Sequence, residues 1–109
     1  MFLSGSGHMA IGSKSGPNIV IETDRGVESH QFWAVEVHQD QVSVAPVTEG
    51  DPEWRVIPEC KVPASEGHTH AAQVERVAFA LEELSRRRTP SGNAVPVDSE
   101  GVKKALAGS

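Results

Sequence analysis

The sequence is short of cysteine, aromatic residues and long apolar runs, and each shortage excludes a class of protein. Cys60 is the only cysteine among 109 residues, so a secreted scaffold held by internal disulfides is excluded. No apolar run approaches the roughly 20 residues that a membrane-spanning helix needs. With three Phe, two Trp and no Tyr, the core must consist mainly of aliphatic side chains. We therefore expect a small cytoplasmic protein of bacterial type, without a membrane segment.

The charge of the chain is negative and unevenly distributed. The chain has a formal charge of −5, with 38% hydrophobic and 23% charged residues, a composition typical of a globular domain. Residues 18–68 include ten acidic and three basic residues, whereas residues 69–109 include five acidic and six basic ones. Because the first of these segments repels polyanions, we expect neither nucleic acid nor an anionic membrane as a partner.

The N-terminal segment has the composition of a flexible tail. Residues 4–9 (SGSGHM) resemble a linker that ends in the His-Met pair encoded by a common cloning site, which would place the native start at Met9. The alternative is a native disordered terminus. Residues 10–17 are also rich in Gly and Ser. The sequence therefore predicts a flexible tail over residues 1–17, including an expression remnant, and a single α+β domain over residues 18–109.

Four segments between residues 18 and 62 have the β-branched content or the alternation of strands. They are 18–23, 29–38, 41–47 and 54–62. The short connections between them favour antiparallel hairpins. Pro58 has no backbone N–H, which places the last strand at an edge or at a bulge. In that strand, the alternation directs Arg55 away from the apolar face. This part of the chain predicts an antiparallel meander of three to four strands.

The periodicity changes to that of a helix after residue 68. Between Thr69 and Arg88, one face carries an apolar stripe made of Val74, Val77, Ala78, Leu81 and Leu84. Ser65 or Thr69 is placed to cap its start, and Asp98 or Ser99 caps a short helix that ends at Ala107. The predicted fold class is therefore α+β: the meander packed on one long amphipathic helix, with a short C-terminal helix.

Cys60, His68 and His70 are the candidates for a metal site. Thiolate and imidazole are zinc ligands, and two histidines separated by one residue at a helix entry can both reach one ion. The paired spacings of structural zinc sites are absent, however. The alternative is a buried thiol and two solvated histidines. The surroundings of Cys60 match no catalytic-cysteine signature. We therefore expect no catalytic residue and no cofactor.

Arg86, Arg87 and Arg88 form the only basic cluster of the sequence. They are the candidates for anion binding, because guanidinium groups bind phosphate. The alternative is a solvated helix end, since the run falls in the last turn of the predicted helix, where positive charge complements the helix dipole.

Phe32, Trp33 and Phe79 are the candidate partner-binding residues. Phe79 falls on the polar face of the predicted helix, and Phe32 points away from the apolar face to which Trp33 belongs. An outward aromatic residue on each element indicates either a protein interface, most simply a symmetric homodimer, or cover by the C-terminal helix.

The functional prediction is a small interaction or accessory protein that acts through a homodimer or another protein partner. The alternative is a domain that binds a small molecule or a metal between sheet and helix, using Cys60, His68 and His70. Nucleic-acid binding through the arginine run comes third.

Overall fold

The computed structural model describes residues 8–62 and 69–107, which form six strands and two helices. The strands are β1 (Met9–Gly12), β2 (Ile19–Thr23), β3 (Gly26–His30), β4 (Phe32–His38), β5 (Gln41–Pro46) and β6 (Arg55–Lys61). The helices are α1 (His70–Ser85) and α2 (Ser99–Ala107). Within this part of the chain, neither helix has both the length and the apolar character needed to cross a bilayer.

The main sheet has four antiparallel strands in the order β1-β4-β5-β6. Its three consecutive strands β4, β5 and β6 confirm the predicted meander. Strands β4 and β5 pair in register from Trp33 opposite Pro46 to His38 opposite Gln41. Gln39 has a φ of 58° in the turn that joins them.

The remaining strands differ from the prediction. The segment expected to form one strand over residues 29–38 is divided at Gln31 into β3 and β4, and β3 pairs with β2 in a separate two-stranded sheet. The division has a local cause. The Gln31 carbonyl accepts from the Ser13 N–H (3.1 Å), and its side-chain amide donates to the Gly16 carbonyl (2.7 Å). Gln31 therefore anchors the loop after β1 instead of continuing the strand.

The expectation that ordered structure begins near residue 18 is wrong for Met9–Gly12. These residues form β1, and Ile11 is 2% exposed in the core opposite Trp33. The strand ends at Gly12, where φ is 88° and an added Cβ would lie 2.3 Å from the Gln31 carbonyl oxygen. No side chain fits in that position, so the strand stops where only glycine is accommodated. The wider division into tail and domain stays a prediction.

Helix α1 packs its predicted apolar stripe on β1 and β4, and all five stripe residues are buried. The Thr69 hydroxyl accepts from the Ala72 N–H (3.1 Å), which confirms this residue as the N-cap. Asp98 likewise accepts from the Gly101 N–H at the start of α2 (2.7 Å). The helix has 16 residues and ends at Ser85. The prediction that Arg86–Arg88 lie in its last turn is therefore wrong.

Strand β6 lies at the edge of the main sheet and is irregular, as Pro58 predicts. Glu59 has a φ of 55°, and the pairing with β5 shifts register between Gln41 and Ser43. Because a bulge changes which side chains face inward, Arg55 is buried, at 8% exposure, and the expectation that it points outward is wrong.

Candidate functional site

The outer edge of β1 carries backbone groups without a partner in the described part of the chain. The Phe32 carbonyl accepts from the Val47 N–H beside β5, so Phe32 and Ala34 bond toward β5. Their β1 partners, Gly12 and Ala10, form non-bonded pairs with them. Bonded and non-bonded pairs alternate along such a ladder. The N–H and C=O groups of Ala10 and Gly12 therefore point away from β4. This edge is a row of donors and acceptors to which another strand can pair.

The opposite edge of the same sheet, formed by β6, is protected. The Val56 N–H donates to the Asp24 carboxylate (3.2 Å), and its carbonyl accepts from the Asp24 N–H (2.9 Å). Two residues further along, Pro58 offers no donor, and Glu59 disturbs the strand geometry. Occupied groups, proline and bulges are the devices by which sheets avoid unwanted pairing. Strand β1, with the sequence MAIG, has neither proline nor charge.

Beside the open edge of β1, helix α1 exposes an aromatic side chain. Phe79 is 67% exposed and Met9 is 41% exposed, and both line a groove of about 250 Å³ between β1 and α1. Glu75 and Glu82 lie on the same side of the helix and line this groove. We define the edge surface as strand β1 together with Glu75, Phe79, Glu82 and Arg86, which follow one another along one face of the α1 segment.

The structure separates the three predicted partner-binding residues. Phe79 belongs to the edge surface. Trp33 is fully buried, and its indole N–H donates to the Ile19 carbonyl (3.1 Å), so its side chain does not reach the surface. Phe32 is half-buried and lines a separate cavity with His30 and Pro46. Phe79 alone of the three is well exposed.

The two metal candidates that the structure describes, Cys60 and His70, lie in different environments. Cys60 is 1% exposed and faces the side of the sheet on which Lys103 of α2 contributes a nearby charge. His70 is exposed at the first position of α1, and His68 lies outside the described residues. Across residues 8–62 and 69–107, no three His, Cys, Asp or Glu side chains are grouped so that they could hold a metal ion. Burial raises the pKa of the Cys60 thiol to about 11, which opposes thiolate chemistry at neutral pH.

The arginine run follows the end of α1, and its side chains have different contacts. Arg86 lies 4.0 Å from the Glu82 carboxylate. Arg88 donates to the carbonyls of Ser85 and Arg87, both at 2.9 Å. Such bonds to terminal carbonyls are the usual way in which basic side chains complete a helix C-terminus. Anion binding by the run stays a prediction, and Arg88 already has a structural role.

A cluster of polar side chains, which the sequence did not predict, joins the two sheets. The Glu28 carboxylate lies 2.7 Å from Nε of Arg55 and accepts from the Thr23 hydroxyl (3.3 Å). The Nε–H bond of Arg55 is not aligned with the carboxylate, so this contact is an ion pair more than a hydrogen bond. His30 lies 3.5 Å from the other Glu28 oxygen and packs edge-on against Trp33. These contacts hold the β2–β3 hairpin against the main sheet.

Comparison with known proteins does not assign a family to this arrangement. No protein-family model matches the chain, and no curated protein or solved structure matches it. The edge surface must therefore be interpreted from its own geometry. The sequence predicted the exposure of Phe79 from its position on the polar helix face. It missed Met9 and Ala10, because a four-residue strand with one large buried side chain has too few residues to show an alternation.

Proposed function

We propose that this chain is a small interaction protein that binds a strand of a protein partner along β1 and covers Phe79 with it. The observation that carries the proposal is the difference between the two edges of the main sheet. The β6 edge has a proline, a bulge and hydrogen bonds to Asp24, whereas β1 has none of these protections. Natural sheets rarely leave an edge unprotected, because it pairs with other chains.

The exposed aromatic ring supports the same conclusion. A partner strand paired with β1 would lie directly beside the groove that contains Met9 and Phe79. Main-chain hydrogen bonds would then provide general affinity, while the groove would select a side chain of the added strand. Burial of one Phe side chain contributes about 1.5–3 kcal/mol, which is a substantial part of a micromolar affinity.

The proposal keeps the cytoplasmic location predicted from the sequence. Its support is Cys60, a buried and unpaired thiol. Free thiols persist in the reducing cytoplasm, whereas disulfides characterise secreted proteins.

A peptide-display selection tests the proposed function without a known partner. Random extended peptides are selected on the full chain, and their affinities are measured for three variants. Ala10→Pro removes an outward N–H without loss of a bond to β4, and Phe79→Ser removes the aromatic ring. Val27→Ser is the matched control, because Val27 is 60% exposed on the other sheet.

We expect selected peptides to lose about tenfold or more in affinity for Ala10→Pro and Phe79→Ser and to bind Val27→Ser as they bind the original chain. Amide hydrogen exchange of Ala10 and Gly12 should slow when the peptide is bound. Peptides that bind Ala10→Pro with full affinity would show that the β1 edge is not the binding surface.

A further inference from the structure

We infer that the partner strand is β1 of a second copy of this chain, paired antiparallel across a two-fold axis beside Ile11. This inference rests on the proposed function and names its partner. Three features of the edge surface support it: the direction of α1 relative to β1, the distance of α1 from the open edge, and the order of charges along the helix.

The first feature is that α1 and β1 run in the same direction. The groove between them places Met9, Ala10 and Ile11 against the part of α1 that contains Glu75 and Phe79. The adjoining cavity places Gly12 and Ser13 with Glu82 and Arg86. Glu75 therefore lies toward the start of β1, and Arg86 lies toward its end.

The second feature is the position of α1 above the sheet. The helix packs on both β1 and β4, so its axis lies over the space between these strands. Neighbouring strands are about 4.8 Å apart, so the helix axis is about 5 Å from a two-fold axis just outside β1. Two copies of α1 would then be about 10 Å apart, at the upper end of the range for packed helices. Phe79 faces the space between them.

The third feature is the order of charges, which suits an antiparallel arrangement. Antiparallel pairing places the start of one β1 against the end of the other, and so places Glu75 of one copy opposite Arg86 of the second copy. The two-fold axis produces this opposite-charge pair twice, and the same arrangement places Glu82 opposite Phe79 of the second copy. Parallel pairing would instead need a two-fold axis along the strands, which places the two copies of α1 on opposite faces of the joined sheet and leaves Glu75 and Arg86 without these partners.

The register follows from the spacing of the two elements. Outward residues pair with outward residues, so the axis passes beside residue 10, 11 or 12, and an axis beside Ile11 pairs Ala10 with Gly12 of the second copy. One strand residue spans about 3.3 Å and one helix residue 1.5 Å, so one step along β1 corresponds to about two steps along α1. The start of β1 lines the groove with Glu75, and Gly12 lines the next cavity with Arg86, so the middle of β1 lies beside the middle of the stretch between these two charges.

Charge reversal on the full chain tests this arrangement by sedimentation equilibrium and native mass spectrometry. Glu75→Arg and Arg86→Glu each convert two attractive contacts into repulsive ones, and each should raise the dimer Kd by about tenfold. The double variant restores both pairs and should dimerise within about threefold of the original affinity. Glu49→Arg is the control, since it makes the same charge change in the exposed loop before β6.

Mixing the two single variants gives the sharpest result. A heterodimer of Glu75→Arg with Arg86→Glu has opposite charges at both contacts, so it should form in preference to either homodimer. Circular dichroism melts confirm that each variant is folded.

The failures of the two proposals differ. If Ala10→Pro abolishes dimerisation while the charge variants behave as the original chain does, the antiparallel arrangement is wrong and strand addition stands. A measured mass of 11.6 kDa, that of one chain, at protein concentrations up to about 1 mM would show that a second copy is not the partner. The selected peptides alone would then decide the proposed function. Dimers that Ala10→Pro leaves intact would show that the two copies do not join through β1, and the selected peptides would still test the proposed function.

Discussion

The Glu28 carboxylate and the Arg55 guanidinium are 2.7 Å apart and join the β2–β3 hairpin to the edge strand β6. The Arg55 side chain is 9% exposed and the Glu28 side chain 20% exposed. Arg55 also donates to the Glu53 carbonyl (3.0 Å), and Thr23 donates to Glu28. A buried charge depends on its partner, because its hydration is lost whether or not the partner is present. This ion pair therefore contributes to the contact between the two sheets, together with the bonds of Asp24 to Val56.

Removal of one partner should be costly. We expect Glu28→Ala to lower the free energy of unfolding by about 3 kcal/mol, because Arg55 is left buried without its counter-ion. The combined variant Glu28→Ala with Arg55→Met should lose less than Glu28→Ala alone, since no unpaired charge remains. Urea unfolding measures both. Asp40→Ala is the control: its pair with Lys61 is exposed and should contribute less than about 1 kcal/mol. An equal loss in the control would contradict the role assigned to burial.

Three glycines should respond differently to replacement by alanine. Gly50 has open space around its Cα, so Gly50→Ala should be nearly neutral. Gly26 also has open space but a φ of 105°, so Gly26→Ala should cost about 1 kcal/mol of backbone strain. Gly12 combines a φ of 88° with the clash against the Gln31 carbonyl, so Gly12→Ala should cost about 3 kcal/mol. Thermal melts of the series give the order, and a neutral Gly12→Ala would disprove the described end of β1.

Removal of either helix cap should cost stability that a serine hydroxyl or an asparagine amide oxygen can restore. Thr69→Ala removes the acceptor for the Ala72 N–H, and Asp98→Ala removes that for the Gly101 N–H. Each should lower the free energy of unfolding by about 1 kcal/mol. Thr69→Ser and Asp98→Asn keep an acceptor oxygen and should recover most of the loss in chemical denaturation. If serine proves no better than alanine at residue 69, the capping bond has no stabilising effect.

Cys60 should make stability depend on pH in the alkaline range. Burial raises the pKa of its thiol from 9.0 to about 11, against a smaller lowering by the Lys103 charge. The folded chain therefore holds this proton more tightly than the unfolded chain does. As pH rises from about 9 to about 11, the unfolded thiol ionises first, so the free energy of unfolding falls.

Cys60→Ala removes this contribution. Urea unfolding at about pH 8 and about pH 10.5 should show a smaller decrease for the variant than for the original chain. Lys103→Met is a useful comparison, because loss of the positive charge should raise the thiol pKa further. Equal decreases for Cys60→Ala and the original chain would mean that the thiol does not titrate differently on unfolding.

The parts of the fold that follow from local periodicity were predictable from the sequence. The stripe of α1 and the alternation of β4 each include several apolar residues at the required spacing, so their faces were assigned correctly, whereas β5 is buried on both faces from Val42 to Pro46. Helix α2 followed from its cap at Asp98 and from the pair Val102 and Leu106, both buried.

The parts that depend on distant contacts were not predictable. Strand β1 is stabilised by β4 and α1, and its own four residues include one large buried side chain, Ile11. Glu28 and Arg55 are in contact because the two sheets pack together, and no local sequence pattern predicts that packing. The inward turn of Arg55 depends on the bulge near Glu59, whose positive φ is rare for a residue other than glycine. The edge surface was therefore predicted only in part: Phe79 was expected to be exposed, but strand β1 beside it was not predicted.

The protected β6 edge limits how far assembly of this chain can go. A sheet that is open at both margins can recruit neighbours indefinitely and grow into a filament. Here Pro58 and the hydrogen bonds to Asp24 protect one edge of the sheet. A dimer joined through β1 would therefore have a protected β6 strand at each outer edge. Growth would stop after a single addition. Loss of the Asp24 side chain would weaken this protection, and the dimers could then polymerise through their exposed β6 strands.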